Sequence, residues 1–312
     1  MTEPRRIMPL PLGGEHGLPY SRGLMARALM AVGVAPERAY KLARRVGGDV
    51  DERGTDVVEL DRLEALAVEI LGEVEGTEAL RQLRRYQELR ELDLPLVILV
   101  GGATGTGKST VATEIAYRLG ITRVTSTDFI RQTMRAFFSH EFMPAIHYSS
   151  FEAGDVVPLA DDPLVAGFLE QSRNVLVGVR ASIERALQEG WSMVLEGVHL
   201  VPGLLPAVEE GAIVSACVLK IDDESAHAQH FFSREAGAER PMAKYLDRFA
   251  EIRRLQDFIV ERARREGVAV IENESANRAT AAVAELVLSA AERRTKDRVS
   301  NAAGVRQSSR RR

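Results

Sequence analysis

Eight residues, Gly102-Ala103-Thr104-Gly105-Thr106-Gly107-Lys108-Ser109, match G-x-x-x-x-G-K-[ST] and constrain this chain more than any other feature. Ahead of them runs Pro95–Val100, apolar and rich in β-branched residues; behind them Thr110 to Leu119 reads as a helix. Strand, glycine loop and helix in that order make a phosphate-binding unit. The glycines let backbone amides turn inward, and the helix start adds the positive end of its dipole. The pattern expects Lys108 on the β- and γ-phosphates of a nucleoside triphosphate and Ser109 on Mg2+. Gly102, Thr104, Gly105, Thr106, Gly107 and Thr110 complete the expected ATP site.

From Leu96 onward, strands at 96–101, 123–127, 191–196, 213–220 and 268–272 alternate with helical segments. That alternation predicts an α/β fold, a P-loop kinase-type parallel five-stranded sheet with helices on both faces. Residues 139–162 form a partly irregular insertion before a helix from about Pro163 to Gln188, and a final helix covers about 276–293. Residues 1–92 differ: Ser21 caps a helix to Val32, Pro36 opens a second to about Val46, and Gly47-Gly48 reads as a break. Leucines at helical spacing mark a third helix over 60–71, and Gly76 separates it from a charged helix, Thr77–Leu92. The expected organisation is a small helical domain over 1–92, a catalytic domain over 93–294, and a disordered basic tail over 295–312. Between Glu292 and Arg312 eight Lys/Arg face two acids with few apolar residues, which favours a solvated segment.

The net charge of −4 gives no support to a nucleic-acid partner. The longest apolar run, Leu94–Val100, is too short to span a bilayer, and the N-terminus has no apolar signal core. The single cysteine, Cys217, lies in an apolar run and is expected to be a buried, inert thiol. These features lead to the expectation of a cytoplasmic protein with no membrane partner; a homo-oligomer is compatible with them.

Acidic residues narrow the chemistry. Asp128 follows a strand and precedes a helix, at the carboxyl edge of the sheet where ligands bind, so it suits orienting or deprotonating an acceptor hydroxyl. A helix N-cap is its competing role. Glu196 ends the strand Trp191–Leu195 and is expected to act on Mg2+ together with Ser109. Arg131 and Arg135, four residues apart on one helix face, are candidate clamps for a phosphorylated substrate. Arg234 and Arg240, between a strand and a helix, are candidate lid arginines, the first on the transferring phosphate and the second on ATP. His147, Ser149 and Ser150 in the segment Pro144–Ser150, and His199 after Glu196-Gly197, are candidate polar substrate contacts. His227 and His230 have ligand spacing but no identifiable third ligand, which argues against zinc.

Together these segments resemble the 2-phosphoglycerate kinase family over nearly the whole chain. The glycine loop is widely shared; Ser126-Thr-Asp-Phe-Ile-Arg131 and Leu195-Glu-Gly-Val-His-Leu-Val-Pro202 are more specific, with Pro144–Ser150, Lys244–Phe249 and Ile252-Arg253 beside them. Leu18-Pro-Tyr-Ser-Arg22 and the helices after it look like an ATP-cone, a nucleotide-sensing domain. The resemblance implies transfer of the ATP γ-phosphoryl group to the 3-hydroxyl of 2-phosphoglycerate, giving 2,3-bisphosphoglycerate and ADP. A P-loop kinase for another small hydroxylated metabolite, and a non-catalytic ATP-binding regulator, are the competing readings; Asp128 and Glu196 argue against the second.

Overall fold

A computed structural model describes residues 20–54, 58, 60–208, 211–232 and 242–309. The chain divides into two compact units, Met1–Leu94 with Tyr117–Gly120 and Ala284–Arg312, and Pro95–Ala116 with Ile121–Val283.

Four helices, α1 (Arg22–Ala31), α2 (Pro36–Arg53), α3 (Leu60–Leu71) and α4 (Glu73–Glu91), carry the first unit. Ser21 caps α1, its hydroxyl accepting from the Leu24 amide at 3.4 Å. Gly47-Gly48 does not break α2, which runs on to Gly54 in the left-handed region at φ 62°. Gly47 is there for space: a Cβ would lie 2.7 Å from Arg22 Nε and 3.2 Å from the Tyr20 ring. Gly76 likewise lies inside α4, where a Cβ would come within 2.8 Å of the Ala67–Val68 backbone of α3. The chain turns instead at Gly72, with φ 84°.

The second unit holds a parallel sheet of β1 (Leu96–Gly102), β2 (Val124–Ser126), β3 (Met193–Glu196), β4 (Ile213–Lys220) and β5 (Ala269–Glu272), in the order β2-β3-β1-β4-β5. Every residue of β1 is buried, so the sheet is covered on both faces, as its unbroken apolar run requires. Its helices are α5 (Lys108–Leu119), α6 (Thr127–Phe137), α7 (Pro163–Gln188), α8 (Glu224–Phe232), α9 (Met242–Asp247), α10 (Phe249–Arg265) and the start of α11 (Ala276–Ser309). Val97 and Leu99 of β1 pack with Met193 and Leu195 of β3 against Val175, Val179 and Ile183 of α7. Burying such side chains contributes about 1.5–3 kcal/mol each. The insertion is irregular apart from single 3-10 turns at Pro144–His147 and Ala153–Val156.

Helix α11 continues to Ser309, and its residues from Ala284 belong to the first unit. Arg85 of α4 explains why: it pairs with Glu285 at 2.7 Å and Glu292 at 2.5 Å. Arg310 to Arg312 lie outside the described residues. Among the described residues no helix is long and apolar enough to cross a membrane. Cys217 is buried, and burial pushes its thiol up to about 12, so it is inert near neutral pH.

Candidate active site

The glycine loop leaves β1 where the sheet order reverses, since β1 has β3 on one side and β4 on the other. Gly102, Gly105 and Gly107 all take positive φ, at 137°, 87° and 80°. Five consecutive loop carbonyls accept hydrogen bonds. Ala103 O accepts from Lys108 Nζ at 2.7 Å and Thr106 Oγ1 at 2.9 Å. Thr104 O accepts from His227 Nε2 at 2.8 Å, Gly105 O from His230 Nδ1 at 2.8 Å, and Thr106 O from Asn273 Nδ2 at 2.9 Å. Gly107 O accepts from the Val111 amide at 3.1 Å. In a planar trans peptide the N–H points opposite to the C=O. Carbonyls held by the protein therefore aim the amides that follow them to the other side, apart from that of Thr106, which donates to Ala103 O at 3.4 Å, and these amides adjoin the N-terminus of α5. That is an anion cradle, and Lys108, itself buried, sits at its base.

Register brings the acids to the same edge. Glu196 ends β3 opposite Val100 of β1 and Ser126 of β2, and its Oε1 accepts from Ser109 Oγ at 3.1 Å. A hydroxyl and a carboxylate this close are hard oxygen donors of the kind Mg2+ takes. No cluster of three or more His, Cys, Asp or Glu able to hold a metal occurs among the described residues. An ion here would thus share its coordination with phosphate and water, as Mg2+ commonly does. Beside the pair opens a cavity of about 420 Å3 lined by Ser109, Thr113, Val124, Thr125, Ser126, Phe129 and Glu196.

Asp128 lies in the first turn of α6, but Ser126 is the cap, its hydroxyl accepting from the Phe129 amide at 3.0 Å. The cap role weighed for Asp128 is therefore taken, and its half-exposed carboxylate pairs with Arg131 Nε at 3.2 Å. Arg131 is almost wholly buried, and its Nη1 donates to the carbonyls of Ile146 and Tyr148, both at 2.9 Å. That gives it the job of holding the 144–148 segment beside Asp128, more than that of an open phosphate clamp. Arg135 is exposed and donates to Gln132 at 3.2 Å.

His199 is placed in the interior. It is fully buried, with Nδ1 2.8 Å from Thr127 Oγ1 and Nε2 2.9 Å from Gln171 Oε1. The Gln171 amide nitrogen donates to the carbonyls of Ala145 and Tyr148. Its oxygen therefore faces the imidazole, so Nε2 carries the proton and Nδ1 accepts from the Thr127 hydroxyl. Gly197, at φ 151°, permits this approach, since a Cβ there would overlap Thr127. Burial holds the His199 pKa down to about 3, and it stays neutral. Unfolded, it would titrate near 6.5, so between those values the unfolded chain binds the extra proton and stability falls as pH drops. The slope from this group is about 1.4 kcal/mol per pH unit. Urea midpoints measured at pH 7 and pH 5 should converge in His199→Gln relative to the parent; an unchanged difference would contradict the buried neutral imidazole.

The remaining candidates scatter. His147 Nε2 donates to Phe138 O at 3.0 Å, and the Ser149 amide donates to Glu152 at 3.3 Å; Ser150 is buried. Arg234 and Arg240 lie outside the described residues. Thr127 and Gln171 escaped the sequence reading, because their partners are supplied by other elements. His227 and His230, whose spacing suits metal ligands, are bonded to loop carbonyls.

Relatives decide the class. A 2-phosphoglycerate kinase of Methanopyrus kandleri is 37% identical over 265 residues, 83% of this chain and 81% of the relative. Those of Thermococcus kodakarensis and Methanococcus vannielii are 40% identical over 82% of this chain and 88% of theirs, and 32% identical over 88% and 90%. The chain belongs to the 2-phosphoglycerate kinase family. It is thus a small-molecule kinase with a nucleotide-binding P-loop. No family model matches the chain. A solved gluconokinase from Sinorhizobium meliloti 1021 aligns with a TM-score of 0.37 at 16% identity, covering 67% of this chain and 98% of that one.

Proposed function

We propose that the kinase transfers the γ-phosphoryl group of ATP to the 3-hydroxyl of 2-phosphoglycerate, giving 2,3-bisphosphoglycerate and ADP. The observation that carries this is the acid edge: Asp128 follows β2 at the same sheet edge as the glycine loop, in a chain 32–40% identical to 2-phosphoglycerate kinases. In this reading the loop amides and Lys108 bind the β- and γ-phosphates and take up charge as the phosphoryl group moves. Asp128 orients the acceptor hydroxyl and receives its proton as the new O–P bond forms and the bond to the β-phosphate oxygen breaks. Ser109 and Glu196 are the donors that would hold Mg2+, which when bound neutralises phosphate charge. Arg135, Arg234 and Arg240 are the arginines left to meet the acceptor phosphate and the moving group.

The test is Mg-ATP with 2-phosphoglycerate, 3-phosphoglycerate or glycerate and identification of the product. Turnover should favour 2-phosphoglycerate by at least tenfold, with one ADP per bisphosphate formed. Equal turnover of all three, or ADP release without a phosphorylated acceptor, would contradict it.

For the first unit the proposal is nucleotide sensing. Tyr20, Ser21 and Arg22 are anchored on α1 and α2: the Tyr20 hydroxyl donates to Ala43 O, Ser21 caps α1, and Arg22 pairs with Asp51 at 3.4 Å. Lys108→Ala should still bind ATP or dATP through this unit; complete loss of binding would refute it.

A further inference from the structure

Three of the side chains that hold the glycine loop come from far along the chain. His227 and His230 stand one turn apart on α8, and Asn273 follows β5. Their donors meet three successive carbonyls, those of Thr104, Gly105 and Thr106, at 2.8, 2.8 and 2.9 Å. The loop is also shaped to receive them. A Cβ at Gly105 would lie 2.5 Å from the Phe231 ring and 2.9 Å from His227 Nε2, and one at Gly107 would overlap the Asn273 amide.

His227 is oriented in turn. Arg253 of α10 donates from Nη1 to His227 Nδ1 at 3.4 Å and to Ile221 O at 2.5 Å, and from Nη2 to Asp222 O at 2.9 Å. An arginine cannot accept, so Nδ1 must be the acceptor and Nε2 carries the proton given to Thr104 O. Burial, the larger cause, with Arg253 also contributing, lowers the His227 pKa to about 4, which keeps that tautomer neutral. Rings of Phe231 and Phe249 pack on the imidazole at centroid distances of 5.8 and 5.4 Å. The asparagine is buried, and its amide orientation is fixed by the Thr106 carbonyl.

We propose that His227, His230 and Asn273 are positioning residues of the nucleotide site, and that Arg253 positions His227. By holding these carbonyls away from the phosphates they fix the amides of Gly105 and Gly107 toward them, while the Thr106 amide donates to Ala103 O at 3.4 Å and closes the turn between the two. The glycines that permit the cradle also leave it floppy, and an external clamp removes that freedom before ATP arrives. This rests on the glycine loop being the ATP site. The function assigned to an i, i+3 histidine pair is thereby support for backbone.

The experiment compares KM for ATP, KM for the acceptor, kcat, and calorimetric binding of Mg-ATP in the parent, His227→Ala, His227→Gln, Asn273→Asp and Lys108→Ala. His227→Ala should raise KM for ATP about five- to tenfold, the scale of one lost hydrogen bond, with KM for the acceptor unchanged. His227→Gln, whose amide can donate to Thr104 O and accept from Arg253, should recover most of that loss. Asn273→Asp keeps the shape but sets a carboxylate against a carbonyl, and should weaken ATP at least as much. Unchanged ATP affinity in Asn273→Asp, or a fall in kcat with unaltered KM for ATP in either histidine variant, would overturn the clamp. Should His227→Ala fail to fold, His227→Gln and Asn273→Asp decide alone. ATP affinity equal in the parent and Lys108→Ala would instead overturn the placement of ATP, whatever the clamp variants do.

Discussion

Replacing Lys108 with Ala should lower kcat/KM about 10²–10³-fold, the cost of removing one preorganised donor from developing charge. Lys108 is buried beneath the glycine loop, and its ammonium rests on Ala103 O at 2.7 Å. A phosphate oxygen carries far more charge than a peptide carbonyl and would draw the ammonium onto itself. Lys108→Arg should not restore activity, because a planar fork cannot occupy the space of a compact ammonium. Thermal midpoints of parent and variants should stay within a few degrees, separating lost chemistry from lost fold. Activity close to the parent level in Lys108→Ala would remove the lysine from the mechanism.

The second large effect is expected at Asp128. Asp128→Asn should reduce kcat about 10²–10⁴-fold while leaving KM for ATP close to the parent value, since general-base removal strikes the acceptor side. The isosteric amide can still accept from Arg131, so the 3.2 Å contact need not be lost. Ser126 continues to cap α6 in either case. A kcat unchanged in Asp128→Asn would reduce this acid to one more negative charge in the first turn of a helix.

The placement of both residues at the carboxyl edge of the sheet was legible in the sequence because it depends on short-range geometry. A strand, a tight glycine turn and a helix start are encoded within a dozen residues, and Asp128 sits two residues past the end of β2. The order of elements also carried the parallel sheet, since alternating strands and helices leave little choice. What escaped were decisions made by distant partners. His227 lies 123 residues from the carbonyl it holds, and no spacing rule shows that a histidine pair faces a backbone. His199 looked like a substrate contact because it follows Glu196-Gly197; burial against Gln171 and Thr127 made it a strut. Gly47 and Gly76 looked like breaks, yet each stays in its helix, with Arg22 and Tyr20 or the Ala67–Val68 backbone occupying the room of the missing Cβ. Arg131 shows the same logic in a charged residue: its pairing with Asp128 is local, whereas the carbonyls of Ile146 and Tyr148 arrive from the insertion.

A crystal structure of the kinase with a non-hydrolysable ATP analogue and 2-phosphoglycerate tests the site most directly. The expected result has the β- and γ-phosphates on the amides of residues 105–109, the Lys108 ammonium moved from Ala103 O onto a phosphate oxygen, and the acceptor hydroxyl within hydrogen-bonding distance of Asp128. Nucleotide bound elsewhere, with Lys108 still on its own loop carbonyl, would contradict it.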